Sequence, residues 1–472
     1  MDTRRLPPGP PAIGTNLFAQ LRYSRQITRD MLGTIGRYYD QYGDLVHLQF
    51  GRYGHLFLVK HPEHAHQILV EKAASFHKGP DYKDPERGLA RFLGNGLLVS
   101  DGEFWKRQRR LVAPALHARR VEAYAETMVG LAERLVAGWR DGAVIDVDAA
   151  MMRVTLDIVS ATLFSSDVSD EAERVGAAMT ALQHANSDFD LLPNWVPTPK
   201  HLRERKALRD LDEIIYDLIA AWRRHGEDRG DLLSMLLLAQ DDDGSHMSDQ
   251  QVRDEAMTLF LAGHETTANA LNWTWYLLAQ NPDVEAKLHA ELDAVLEGAL
   301  PKLDDLKRLP YTEMVIKESM RLFPPAWGFG RRAIEDVEIG GYTIPAGSSV
   351  NMSVYHMHRD PRWWPQPDRF DPMRFSPEGE EAQVRYAYLP FGGGPRICIG
   401  NAFALMEARL LLAVMASRFR LRLLTNDPVV PEPLITLRPK NGLRMRLEAR
   451  PIANASPAYH APFEEPEAGL QA

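Results

Sequence analysis

Phe391-Gly392-Gly393-Gly394-Pro395-Arg396-Ile397-Cys398-Ile399-Gly400 carries the only cysteine of a 472-residue chain. Three consecutive glycines and a proline read as a loop, and the apolar run that follows reads as a strong helix, roughly 401–418. A thiolate at that junction gains from the helix N-terminus and from backbone N–H groups free to point at sulfur. The glycines let the backbone approach a large flat ligand closely. Ile397 and Ile399 flank the sulfur and keep water away, and Arg396 can pair with an anionic group of that ligand. One cysteine cannot complete a zinc site or an iron–sulfur cluster, whereas a single soft anionic axial ligand suits haem iron. On residue type alone, a lone cysteine is more often an inert core residue. The surrounding pattern reverses that preference. Phe-x-x-Gly-x-Arg-x-Cys-x-Gly fixes five positions, and chance places it in such a chain on the order of once in ten thousand.

Upstream, Ser248-Asp249-Gln250-Gln251 has the form of a capping box, and a helical pattern runs from it without proline to Asn281-Pro282. About 30 residues give a helix of about 45–50 Å, long enough to cross a whole domain. Leu259, Ala262, Gly263, Thr266 and Ala270 share one face of it. Small residues there leave room for a flat ligand with something bound above it. Gly263 costs ~1 kcal/mol of helix stability relative to alanine, which close approach of a ring would justify. The Thr266 hydroxyl can bond the Ala262 carbonyl one turn back, and Glu265 can exchange protons with solvent. The competing reading is plain helix–helix packing beside a surface acid. Two further pairs are uninformative alone. Glu318 and Arg321 are neighbours on a helix bracketed by Pro310 and Pro324-Pro325, and Trp105 and Arg109 share a face of a basic helix.

Together these motifs resemble the cytochrome P450 family. The cysteine loop is similar to its haem-binding loop, and Ala262-Gly263-His264-Glu265-Thr266-Thr267 to its oxygen-activation segment. Lys317-Glu318-Ser319-Met320-Arg321 resembles its Glu-x-x-Arg element. Phe370-Asp371-Pro372-Met373-Arg374-Phe375 resembles its Pro-x-Arg-Phe segment, with Met373 where many members have Glu. The order Trp-x-x-x-Arg, oxygen helix, Glu-x-x-Arg, Pro-x-Arg-Phe, cysteine loop also agrees. The resemblance implies a mainly α fold with a small β-rich region, a long central helix over haem b (iron protoporphyrin IX) and the cysteine loop beneath it. Cys398 is then the thiolate metal ligand, and Thr266 and Glu265 are the alcohol–acid pair that handles protons. Trp105, Arg109, Arg331 and Arg396 hold the cofactor's propionates, with Arg332 as a substitute for Arg331. Phe391, Gly392, Gly400, Ala262 and Gly263 border the ring, and Glu318, Arg321 and Arg374 form a buried ion network that fixes the loop. His264 takes the variable position and reads as a packing or surface residue. Leu259, Ala262, Thr266, Ala270, Trp327 and Phe329, with the loop near Phe76–Phe92, are the expected pocket wall, apolar enough for a fatty acid, terpenoid, carotenoid or polyketide. The implied reaction is monooxygenation by O₂, with electrons from a separate ferredoxin or flavodoxin and its reductase. A peroxide-driven peroxygenase, an O₂-independent rearranging enzyme and a non-catalytic haem gas sensor are the alternatives on the same fold.

Composition agrees. Apolar residues make up 45% and charged residues 25%, ordinary globular values, and the net charge of −9 argues against nucleic acid as a partner. The chain can bury a large core without disulfides. Six Lys or Arg against one acid between Gly102 and Arg120 suggest a docking patch for an acidic electron donor. No signal peptide, membrane anchor or spanning run is visible, although Pro7-Pro8-Gly9-Pro10 resembles the hinge that follows an anchor in anchored family members. A cytoplasmic monomer is expected, without an appended redox domain. Residues 1–22 read as a Pro-rich extended segment, 23–450 as one catalytic domain and 451–472 as a frayed tail. Within the domain, Leu45–Phe50 and His55–Val59 read as a hairpin, 63–325 as mostly helical, 329–355 as short strands and 356–400 as irregular.

Overall fold

A computed structural model describes residues 5–12, 23 and most of 25–451. Residues 28, 51–53, 87, 165–173, 176–177, 179–195, 226–230, 241–243 and 245 lie outside the description, as do 1–4, 13–22, 24 and 452–472. The expected tail and most of the hairpin loop therefore fall outside it.

The architecture is organised around one helix, Asp249–Gln280, of 32 residues and so about 48 Å long. Its start is fixed by the expected capping box. The Gln251 N–H donates to Ser248 Oγ at 3.3 Å, and the Ser248 N–H donates to Gln251 Oε1 at 2.8 Å. Such a cap contributes about 1 kcal/mol. The helix stops at Asn281, ahead of Pro282. Between its ends almost every side chain is buried, so it has no solvent face and serves as the core of the molecule. Helices Val147–Leu163, Pro310–Leu322 and Asn401–Arg418 pack around it. Trp273, fully buried, stacks on Phe323 at 4.1 Å and donates its indole N–H to the Leu437 carbonyl.

The β-rich region is a five-stranded sheet, ordered Leu45–Gln49, His55–Val59, Ser349–Met352, Phe329–Ala333, Phe76–His77. The first two strands form the expected antiparallel pair, Leu45 opposite Val59 and Gln49 opposite His55. The third runs parallel to the second, which a connection of almost 300 residues permits. A second sheet joins Val144–Asp146 to Arg444–Ala449 and Phe419–Leu423; the last two strands and the hairpin Pro431–Pro433/Leu437–Pro439 follow helix Asn401–Arg418 in the chain. The sequence reading assigned no structure to the stretch after that helix, and Val144–Asp146 is a strand within the stretch 63–325 read as mostly helical. Among the described residues no helix is long and apolar enough to cross a membrane.

Candidate active site

A cavity of about 410 Å³ lies between the long helix and the cysteine loop. Cys398 is on its floor. The Cys398 N–H donates to the Phe391 carbonyl at 2.9 Å, closing the loop, and the sulfur opens onto the cavity. Enclosure by protein pushes the thiol pKa up, while the Gly400 N–H and the Arg109 guanidinium pull it down. Phe391, Gly392, Ile397, Ile399 and Gly400 line the same floor. Gly394 has another task than the one expected. It sits at φ +67°, and a Cβ there would collide with the Leu69 carbonyl, so this glycine packs the loop against the segment Gln67–Glu71 rather than against a ligand.

The roof comes from the long helix. Leu259, Ala262, Gly263, Thr266 and Ala270 all line the cavity. Thr266 Oγ1 donates to the Ala262 carbonyl at 2.8 Å as expected, and Thr267 bonds Gly263 at 3.3 Å in the same way. Both hydroxyls thus bond a carbonyl one turn back, within a helix that runs unbroken from Asp249 to Gln280. A Cβ on Gly263 would stand 3.1 Å from Val159, so the glycine is needed for helix packing as well as for space above a ring. His264 is buried, with Nδ1 2.9 Å from the Phe260 carbonyl: it is a packing residue. Glu265 corrects the expectation of a solvent-facing acid. It is 4% exposed, and its carboxylate accepts a hydrogen bond from Thr436. Thr436 in turn accepts from Asn269 Nδ2 at 3.0 Å, which aims its one hydroxyl proton at Glu265.

Cations gather at one end. Lys78, Arg109, Arg331 and Arg396 all line the cavity, whereas Arg332 is exposed, so Arg331 is the one of the two neighbouring arginines that reaches the cavity. Arg396 lies 4.3 Å and Arg109 5.8 Å from the centroid of the Trp105 ring. Arg109 donates to the Ile397 carbonyl at 3.0 Å, next to the cysteine. Arg396 donates to the Ser100 carbonyl and pairs with Asp101. Lys78 lies 4.0 Å over the Tyr82 ring, and burial, with Arg331 and Arg396 nearby, pushes its pKa down. Lys78 and three arginines face two carboxylates, Asp81 and Asp101, and Lys83 also pairs with Asp101, so basic groups outnumber acids at this end of the cavity. A flat ligand with two acidic groups and a metal open to one soft donor fits this arrangement: thiolate below, apolar walls, cations at one edge.

The ion network assembles as expected. Glu318 and Arg321 are both 0% exposed and paired twice, at 2.7 and 2.9 Å. Arg374 Nε lies 3.4 Å from Glu318 Oε1, and the Asp371 N–H donates to the same oxygen. Met373 points outward, 49% exposed. The link to the cysteine loop is His358, which the sequence reading missed. Arg321 donates to the His358 carbonyl at 2.8 Å, and His358 Nε2 accepts the Leu389 N–H at 2.8 Å, two residues before Phe391. That bond requires a neutral ring with its proton on Nδ1. Burial, with Arg321 and Arg359 beside it, pushes the His358 pKa down to about 3, against about 6.5 for an unfolded histidine. The depressed value means that this stability is present above pH ~6.5 and lost as pH falls toward 3, by about 1.4 kcal/mol per pH unit. In denaturant unfolding at pH 7.5, His358→Gln is expected to be about 1–3 kcal/mol less stable than the parent. The gap should shrink as the pH is lowered to 5; a constant gap would contradict the assignment.

Trp327, expected in the pocket wall, is not there. It packs into the small core of Ile35, Tyr39, Val46 and Leu58 and donates to the Leu434 carbonyl at 2.9 Å. Its neighbours Ala326, Gly328 and Phe329 do line the cavity. The chain bends at Pro325-Ala326, and the Leu434 carbonyl holds the Trp327 indole on the outer side. The expected loop near Phe76–Phe92 does line the cavity, through Lys78, Tyr82, Leu89 and Phe92. Ile435 and Thr436 are wall residues that the reading did not name, and their stretch lacks the periodicity of an element that would mark one face.

The family model described as Cytochrome P450 matches residues 7–445. Cyclooctatin synthase of Streptomyces melanosporofaciens is 42% identical over 84% of this chain and 87% of its own length. Pentalenene oxygenase of Streptomyces avermitilis is 37% identical over 87% of this chain and 91% of its own. The crystal structure of the cytochrome P450DA heme domain superposes with a TM-score of 0.82 at 28% identity, covering 96% of this chain and 99% of that one.

Proposed function

The chain belongs to the cytochrome P450 family of haem b monooxygenases, and we propose that it oxygenates a polycyclic terpenoid with electrons from a separate ferredoxin or flavodoxin and its reductase. One atom of O₂ enters the substrate as a hydroxyl or epoxide oxygen. The other leaves as water with two protons and two electrons. The observation that carries the reading is the cavity itself: one cysteine sulfur below, one hydroxyl–carboxylate helix above and an almost wholly apolar wall between them. When bound, haem b supplies the redox iron that activates oxygen.

Cys398 would hold that iron through its sulfur and push electron density toward it. Lys78, Arg109, Arg331 and Arg396 would hold the two propionates, with Trp105 packed against two of the guanidiniums. Thr266 would hold a proton at its hydroxyl on the oxygen side, and Glu265 would resupply it, oriented by Thr436. Leu97, Leu259, Ala270 and Phe329 would exclude water and take up a hydrocarbon, each Å² of apolar surface buried contributing about 25 cal/mol. The names of the two relatives support a terpenoid over a fatty acid or polyketide. On the outer side of helix Gly102–Val112, Lys106 and Arg110 are exposed and would meet an acidic electron donor, while Trp105 and Arg109 face the cavity.

The test is a titration of the haem-loaded ferric protein with pentalenene and related polycyclic hydrocarbons, watching the Soret band. Turnover follows under ¹⁸O₂ with plant ferredoxin, its reductase and NADPH. One labelled atom per product is expected. Thr266→Ala should bind hydrocarbon within twofold of the parent yet yield about tenfold less product per NADPH, the balance appearing as peroxide. Turnover on peroxide alone, or unchanged coupling in Thr266→Ala, would overturn the reading.

A further inference from the structure

Part of the cavity wall is a loop that two buried acids hold in place. Gly94-Asn95-Gly96-Leu97-Leu98 follows the short helix Ala90–Leu93, and Leu97 and Leu98 both line the cavity. The Asn95 N–H donates to Asp254 Oδ2 at 2.8 Å, and the Leu97 N–H donates to Glu255 Oε2 at 2.9 Å. The two acids are consecutive on the long helix and are 6% and 1% exposed. Their side chains leave the helix about 100° apart, which lets them take two different N–H groups of one loop. The glycines make the contact possible. Gly94 turns the chain at φ +57°, and a Cβ on Gly96 would stand 2.6 Å from the Asp254 carbonyl oxygen.

The clamp reaches further. Asp254 Oδ1 accepts from Gln250 Nε2 at 2.8 Å and from Arg253 Nη1 at 3.1 Å. Arg253 also grips Asp212, with Nε at 2.8 Å, on helix Pro199–His225. One polar network thus ties the loop and a flanking helix to the same turn of the long helix. Burial pushes the Glu255 pKa up to about 8, with Asp254 adding to the shift and the Leu97 N–H opposing it. A carboxyl so placed is expensive to bury, and no proton-handling role in the proposed reaction calls for it.

We propose that Asp254 and Glu255 are specificity-determining positioning residues, which fix where the Leu97–Leu98 wall stands and hence how bulky a ligand the cavity admits. The proposal rests on the reading of this cavity as the substrate site, and its test does not need a substrate. Haem-loaded parent, Glu255→Met and Glu255→Gln are compared by amide hydrogen exchange and by spectral titration with imidazole and with clotrimazole. Methionine keeps the volume without an oxygen acceptor, whereas glutamine keeps the acceptor.

In Glu255→Met, exchange at 95–98 should quicken at least tenfold. The affinity for imidazole should stay within twofold, and the clotrimazole-to-imidazole affinity ratio should shift at least fivefold. Glu255→Gln should return all three readouts to within twofold of the parent. Faster exchange with an unchanged ratio would reduce the acids to a purely structural role, and unchanged exchange would remove the clamp altogether; either overturns the proposal. Should Glu255→Met fail to take up haem, Gly96→Ala, whose Cβ would press the same loop off the long helix at Asp254 and Thr258, is expected to give the same two changes. Failure of hydrocarbon turnover with an altered azole ratio would indict the terpenoid reading and leave the clamp standing.

Discussion

Cys398→Ala, supplied with haem b, is expected to lose the thiolate signature of its ferrous–carbon monoxide spectrum. Oxygenation with ferredoxin, reductase and NADPH should fall by on the order of 10²–10³-fold or more, the scale seen when a group touching the reacting centre is removed. The reasoning is one of elimination as well as geometry. This is the chain's only sulfur able to form a thiolate. It lies on the floor of the cavity, beneath the threonine helix. His264, two residues from Thr266 on that helix, is buried and turned to the Phe260 carbonyl. A retained thiolate-type band in the alanine variant would sink the assignment. Cys398→His makes a sharper comparison, since an imidazole donor would keep the prosthetic group and change only the band.

The second large effect is expected at Glu318. Arg321 is wholly buried and makes two charge-assisted bonds to this carboxylate, and Arg374 lies beside it. Glu318→Ala leaves a guanidinium in the core with only carbonyl partners, from His358 and Arg369. Breaking a buried pair from one side costs about 3–5 kcal/mol, a large share of the 5–15 kcal/mol that a domain has. The loss should also reach the site, because Arg321 meets His358 and His358 holds Leu389 at the entrance to the cysteine loop. We expect an unfolding free energy lowered by that amount in denaturant titration and haem uptake reduced in parallel. Glu318→Gln, which still accepts one bond, should lose less. An alanine variant as stable as the parent would show that the ion network is dispensable.

The long helix was legible in the sequence because its signals are local: a capping box, a proline-free run and a closing Asn-Pro. Helices Pro310–Leu322 and Asn401–Arg418 and the first hairpin were readable for the same reason. Motif spacing brought Cys398, Thr266, Glu318, Arg321 and Arg374 into view before any coordinates. What failed was decided by distant chain. Glu265 reads as a surface acid until Thr436, 171 residues away, supplies its partner. His358 acquires meaning only from the loop that it holds. Trp327 is drawn out of the pocket by the Leu434 carbonyl, 107 residues away. A local signal was passed over as well: Phe419-Arg420-Leu421-Arg422-Leu423 alternates apolar and basic residues with period two and forms the edge of a sheet.

The wall of the cavity is of two kinds: one rigid rod, and two short appendages that meet it end-on, the Gly94–Leu98 turn and the Leu434–Thr436 tip. The rod carries the hydroxyl and the acid, so changes there would trade chemistry for shape. The turn is bolted on through the Asn95 and Leu97 N–H groups and the tip through the Thr436 hydroxyl, none of which belongs to the side chain of Leu97, Leu98 or Ile435. For laboratory evolution this makes those three positions the inexpensive dial for new hydrocarbons: libraries confined to them can explore fit while the oxygen-handling machinery and the fold are inherited unchanged.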